Sequence, residues 1–196
     1  MALAMALVPE RAHGGLPTEQ IKSTVDKALV VLKDPKLKPA AKLRERRDQL
    51  KQILFARFDF TEMAKRSLGA NWRRRTAQEQ DEFVRLFAEV LERAYADLIE
   101  SYTDEKIIYL TERIEGGFAD VSSKISTSKG EEYSINYRAH FVGNEWKVYD
   151  VVAENVSLVN NYRSQFNRVI SNASYEELVR RLKDKTEFAG APKTKR

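Results

Sequence analysis

From about Glu105 the apolar residues change period, and this switch constrains the fold more than any other feature of the chain. Tyr133, Ile135, Tyr137, Ala139 and Phe141 alternate with Ser134, Asn136, Arg138 and His140, so one face of the segment is apolar and the other polar. Glu115-Gly116-Gly117, Ser128-Lys129-Gly130 and Val142-Gly143-Asn144 are turn signals. They separate four strand candidates, near 106–114, 118–127, 132–142 and 145–153. Consecutive strands joined by short turns make an antiparallel meander.

The remainder reads as helix. Ile21, Val25, Ala28, Leu29 and Leu32 recur at helical spacing from Thr18 to Lys33, and Pro35 and Pro39 mark a connector. A second helix carries Leu43, Leu50, Ile53 and Leu54, with Arg44, Arg46 and Arg47 expected mostly on its wet face. Asp59 with Glu62 has N-cap spacing, and Gly69 can close the short helix that follows. Thr76 and Glu79 form a capping box, as do Ser174 and Glu177. The helix from Thr76 to about Tyr102 bears a wide stripe of Phe83, Phe87, Val90, Leu91, Ala94, Tyr95 and Leu98, broadened by Leu86 and Ile99. Such breadth implies burial on more than one side. After the strands, Leu158, Tyr162, Phe166 and Val169 return to helical spacing. Segregated helices and strands give an α+β fold, an antiparallel sheet of about four strands packed with helices.

Length and composition fit one domain, 196 residues with 42% hydrophobic content. A formal charge of +5 favours anionic partners without choosing among them. The chain has no cysteine, which excludes disulfides, a thiolate nucleophile and a Cys-containing zinc site. No apolar run approaches the roughly 20 residues of a membrane-spanning helix. Residues 1–17 read as the tail of a secretory signal or a disordered start, 18–188 as the working domain and 189–196 as a disordered tail.

Catalytic patterns are missing. His13 and His140 are the only histidines, and they are far apart in sequence, so no histidine cluster is set to bind a metal; His140 reads as a solvated residue. Phosphate-loop, dinucleotide and nucleophile-elbow patterns are absent. Asp97, Glu100, Asp104 and Glu105 read as solvated charges at a helix end. No catalytic residue, metal or cofactor is expected. Arg73, Arg74 and Arg75 beside Trp72, and the stretch Arg44 to Arg47, could meet phosphates of nucleic acid or lipid, or a docking partner. Interleaved Glu45, Asp48, Glu79 and Asp81 favour a solvated face or headgroup contact over nucleic acid.

The stretch Gly143-Asn-Glu-Trp146-Lys147-Val148-Tyr149-Asp150-Val151-Val152, followed by Val156-Ser157-Leu158-Val159 and Asn161-Tyr162-Arg163-Ser164-Gln165-Phe166, closely resembles the MlaC family of toluene-tolerance auxiliary proteins. Phe58-Asp59-Phe60, Met63-Ala64, Leu68-Gly69, Trp72, Gln80, Phe83, Phe87, Tyr95 and Tyr102 extend the resemblance over about residues 18–188. It implies a periplasmic shuttle that passes phospholipid between an outer-membrane lipoprotein complex and an inner-membrane complex of an MCE protein with an ABC transporter, maintaining outer-membrane lipid asymmetry. It also implies acyl chains held between sheet and helices, the headgroup near the mouth, and no chemistry. A hopanoid-associated subgroup looks similar, and a basic nucleic-acid-binding module is the reading from another class.

A diacyl lipid has about 30 methylenes, whose exposure at about 0.8 kcal/mol each would cost on the order of 20 kcal/mol. Hiding them takes many apolar walls and few polar groups. The expected walls are Phe83, Phe87, Val90, Leu91, Ala94, Tyr95 and Leu98 from the long helix. Ile135, Tyr137, Phe141, Val148, Leu158, Tyr162 and Phe166 complete them. Phe83, Phe87, Val90, Leu91 and Tyr95 are expected to share with Tyr137, Phe141, Val148 and Phe166 one apolar space larger than their own side chains fill. Arg73, Arg74 and Arg75 are the candidates for docking or headgroup contact.

Overall fold

A computed structural model describes residues 16–102, 105–184 and 188. Among the described residues there are six α-helices: α1 (Pro17–Lys33), α2 (Leu43–Arg57), α3 (Phe60–Leu68), α4 (Ala77–Glu100), α5 (Leu158–Asn172) and α6 (Tyr175–Lys183). Between them lie β1 (Lys106–Glu115), β2 (Phe118–Ser126), β3 (Glu132–Val142), β4 (Glu145–Ala153) and β5 (Val156–Ser157), an antiparallel sheet in the order β1-β2-β3-β4-β5. The architecture is α+β, with a fifth strand of two residues beyond the expected four. The first 15 residues, Asp104 and the tail from Ala189 lie outside the described residues.

Local chemistry sets the helix starts. The Thr76 hydroxyl accepts from the Glu79 amide at 3.2 Å while the Glu79 carboxylate accepts from the Thr76 amide at 2.7 Å, closing a reciprocal cap on α4. Asp59 accepts from the Glu62 amide at 2.9 Å and starts α3. Ser174 caps α6 by accepting from the Glu177 amide at 3.1 Å. The expected return bond from Glu177 is not made, because its carboxylate is engaged with Arg180 and Arg181, each at 2.7 Å.

The far edge of β4 joins the two halves of the chain. Phe58 forms a parallel bridge to Val148, the Asp59 amide donates to the Val148 carbonyl at 2.8 Å, and β5 pairs with Val152 and Ala153 further along. Helices α3 and α5 leave from this edge and pack together, while α1 and α2 pack on each other and touch the sheet. Asp150 anchors the turn into α5. It is 3% exposed and accepts from the Val159 amide at 3.0 Å, the Ser157 hydroxyl at 2.7 Å and Arg138 at 3.2 Å.

The interior is divided among three clusters. The first lies among α3, α4, α5 and α6, with Met63, Leu68, Phe83, Phe87, Tyr162, Phe166 and Leu178 at its centre. The second joins Ile21 of α1 to Ala119, Val121, Ala139, Trp146 and Val148 of the sheet. The third holds Ala28, Val31, Leu32, Leu37 and Leu50, where α1 meets α2. Phe58 packs against the first and the second. A single domain of this size ordinarily has one contiguous core, so the partition calls for an explanation.

Candidate functional site

Strand register turns the inner face of the sheet into rows. One row sets Ala119 beside Ala139 and Val148, the next Val121 beside Tyr137 and Val151, the next Tyr109 beside Ser123 and Ile135, and the last Ile107 beside Ile125 and Tyr133. The first row is fully buried against the second cluster. Coverage then thins: Tyr137, Val151, Tyr109, Ile135, Ile107, Ile125 and Tyr133 are half-buried. On the helices, Val25 and Leu29 of α1, Ile53 of α2 and Ala94, Tyr95 and Ile99 of α4 are half-buried too. Each sits on or beside a cluster margin. Helix α4 packs chiefly on α3 and α6 and makes little close approach to the strands.

The tyrosines here are held away from water. Burial pushes the hydroxyls of Tyr95 and Tyr137 up to about 12. It raises those of Tyr109 and Tyr162 as well, with Tyr137 and Tyr95 as the respective electrostatic neighbours. Burial, the leading cause in each case, disfavours the phenolate; Tyr95, Tyr109 and Tyr137 keep part of their surface, whereas Tyr162 is fully buried in the first cluster. The hydroxyls of Tyr109 and Tyr162 are buried without a hydrogen-bond partner among the described residues, a state that ordinarily implies water or a ligand group nearby.

The expected wall residues do not all meet. Phe83, Phe87 and Phe166 are wholly buried in the first cluster, stacked edge-to-face at 5.6 and 5.5 Å, and Val90, Leu91 and Tyr162 lie with them. Tyr137, Phe141 and Val148 belong to the second cluster, so the single shared space expected from periodicity is two packed regions. The reason is position: the first cluster forms beyond the β4 edge rather than over the sheet. Ala94, Tyr95, Ile135, Tyr137 and Leu158 keep part of their surface. The side chain of Leu98 lies outside the described residues. Residues the sequence reading did not place among the walls, Val25, Ile53, Tyr109 and Val151, stand at the same margins. Their helical and strand periods were visible, but their meeting was not.

Charged residues are redistributed as well. Arg73 and Arg74 are exposed on the turn Gly69–Arg74, whereas Arg75 is engaged, 3.3 Å from Glu79 and with its guanidinium 4.4 Å from the Tyr175 ring centre. His140 is not solvated as expected: Nε2 lies 2.9 Å from Asp59, and the ring packs between Phe118 and Tyr149. Arg46 and Arg47 are not on the wet face, since both turn to α4 and reach Glu100. Glu100 is thus paired rather than solvated. Two surface depressions, of about 440 and 360 Å³, lie on the outer face of α1 around Lys22 and Asp26 and on the sheet around Phe118, lined by none of the expected wall residues. Among the described residues no three His, Asp or Glu side chains are grouped to hold a metal, and no helix is long and apolar enough to cross a membrane.

The model of the family described as MlaC protein matches residues 22–184. The chain belongs to the MlaC family. It is 25% identical over 120 residues to the intermembrane phospholipid transport system binding protein MlaC of Haemophilus influenzae, covering 59% of this chain and 56% of that protein. It is 26% identical over 121 residues to the toluene tolerance protein ttg2D of Pseudomonas putida, covering 61% of this chain and 56% of that protein. The chain thus spans little more than half the length of these curated relatives. Its fold matches the phospholipid-binding protein of Ralstonia solanacearum, solved in complex with a phospholipid, with a TM-score of 0.78 and 26% identity over 86% of this chain and 96% of that one. Membership of the MlaC family accounts for the order of helices and strands.

Proposed function

We propose that this MlaC-family chain is a periplasmic phospholipid carrier, not an enzyme, and that it holds acyl chains between the thinly covered rows of the sheet and helices α1, α2 and α4. What supports this reading is the thin cover over these rows: Tyr95, Tyr109 and Tyr137 are half-buried at the margins of separate clusters, and burial raises each of their hydroxyls. The walls are Ala94, Tyr95, Ile135, Tyr137 and Leu158, joined by Val25, Ile53 and Tyr109. The more deeply buried Phe83, Phe87, Val90, Leu91, Phe141, Val148, Tyr162 and Phe166 stand behind them as support. Apolar walls grip hydrocarbon without directional bonds, and tails pass between two apolar phases with little net free-energy change, so loading and release are both accessible.

The partners that fit this task are an outer-membrane lipoprotein complex and an inner-membrane MCE protein with its ABC transporter, between which the carrier maintains lipid asymmetry. The resolved phospholipid complex of the Ralstonia protein supports the ligand class. Arg73 and Arg74, exposed on their turn, suit docking to an acidic surface. Replacing both by Glu is expected to slow transfer and flatten its salt dependence while bound lipid stays in place. Loss of the lipid would reassign them to the headgroup.

Native mass spectrometry of protein purified from a bacterium without detergent tests the main reading. A co-purifying phospholipid that exchanges with added vesicles is expected. A lipid-free mass that persists after incubation with vesicles would overturn it.

A further inference from the structure

A carrier needs a place where a diacyl lipid can pass its walls, and the α2–α4 seam is held by a series of ion pairs. Lys51 Nζ lies 2.6 Å from Glu92, Arg47 Nη2 2.9 Å from Asp97, Arg47 Nε 2.5 Å from Glu100 and Arg46 Nη2 3.3 Å from Glu100. These rungs run antiparallel along the two helices. Apolar contact is sparse: of the described α4 residues only Ile99 joins the cluster that α1 and α2 build. That cluster gives the α1–α2 pair cohesion of its own. Behind the rungs lie Ile53, Tyr95 and Ile99, each half-buried.

The ions at this seam are unevenly satisfied. Arg46 is 15% exposed and Glu100 13%, yet the Arg46 Nε is buried without a hydrogen-bond partner. Two guanidinium groups therefore converge on one sheltered carboxylate, with a donor to spare. Glu100 and Asp97 stand in the last turn of α4, where the helix dipole disfavours negative charge and no basic residue of the helix offsets it. The carboxylates are held by the arginines rather than by their own helix, which makes them exchangeable.

We propose that the α2–α4 seam is the mouth through which a glycerophospholipid enters, and that Arg46 and Arg47 take its phosphodiester there in exchange for Glu100 and Asp97. This rests on the carrier reading. A phosphodiester offers one negative charge and two unesterified oxygens, an arrangement that guanidinium forks bind in bidentate fashion. The tails then lie against the residues behind the rungs. Arg73 and Arg74 are poorly placed for this role, because they precede the first turn of α4 and Glu100 ends it. At about 1.5 Å rise per residue the two sites are on the order of 30 Å apart.

The chain contains no cysteine, so the pair Lys51→Cys and Glu92→Cys gives an unambiguous attachment for a short bis-methanethiosulfonate, which joins each cysteine by a reducible disulfide and releases methanesulfinate. Closing it is expected to slow transfer of fluorescent phosphatidylglycerol between vesicles by roughly tenfold or more, with recovery on reduction. Transfer that is indifferent to the closed cross-link overturns the seam as the mouth. The double variant Arg46→Gln, Arg47→Gln is expected to lose its preference for phosphatidylglycerol over diacylglycerol, which has the tails without the phosphate. The companion Asp97→Asn, Glu100→Gln, which leaves the arginines in place, is expected to retain phosphatidylglycerol more tightly. It decides the matter if the arginine variant fails to fold. An unchanged lipid preference in the folded arginine variant, or unchanged retention in the companion, overturns the phosphate site. These failures are distinguishable from failure of the carrier reading, in which the unmodified protein itself takes up no lipid from vesicles.

Discussion

Gly69 stands at φ +56°, ψ −126°, a backbone region that side-chain-bearing residues rarely adopt, and a Cβ built on it would come within 3.0 Å of the Arg163 guanidinium. Gly69→Ala is therefore expected to destabilise the fold by about 1–3 kcal/mol, read as a lower urea midpoint at unchanged slope. Asp150 tests the opposite kind of constraint. Its carboxylate serves three donors from within the interior, and Asp150→Ala should cost about 3 kcal/mol in the same measurement, because the Val159 amide and Arg138 are left without it. The local role of Asp59 as a cap was legible in the sequence because its partner is three residues away. The pairings of His140 with Asp59 and of Arg46 and Arg47 with Glu100 were not, since hydropathy assigns a side chain to a face but says nothing of a neighbour fifty or more residues distant.

Among the elements, α6 has the sharpest electrostatic signature. Hydrogen bonds from Arg180 and then Arg181 hold the Glu177 carboxyl down at about 2. A carboxyl depressed in the folded state adds stability that is fully present above its unfolded value, near 4.5, and is lost as the pH falls through about 2. Glu177→Gln should thus leave the melting temperature near neutrality little changed in its pH dependence and flatten the decline across that acid window. Glu100 behaves in the same sense: burial would raise it, but Arg47 and Arg46 outweigh burial and hold it low, so the seam weakens on acidification rather than at neutral pH. Helix starts and all four long strands were readable from capping residues, glycine turns and alternation. The strand β5 was not, because two residues carry no period and their extended state is fixed by pairing with Val152 and Ala153. The merging of the α4 stripe and the sheet face into one space failed for a related reason: a period identifies an apolar face without telling which apolar face it meets.

At the scale of the whole molecule, the interior is split into three clusters, and if phospholipid is held between them, as proposed, it must add to the stability of the fold. A phospholipid bound at a hundred times its dissociation constant would add about 2.7 kcal/mol, so stripping lipid is expected to lower the melting temperature measurably and re-addition to restore it. A melting temperature indifferent to lipid would mean that the fold binds none. The bridge between Phe58 and Val148 reaches further than binding. With the hydrogen bond from Arg57 to the Trp146 carbonyl and that between Asn71 and Asn167, it makes the native packing of α2 and α3 depend on residues synthesised some ninety positions later. Such remote closures are slow in the order of folding. A fragment ending before β4 is expected to show no cooperative thermal transition, although it contains four of the six helices. During synthesis the amino-terminal helices must wait for β4 and α5, so the native packing locks only once most of the chain has been made.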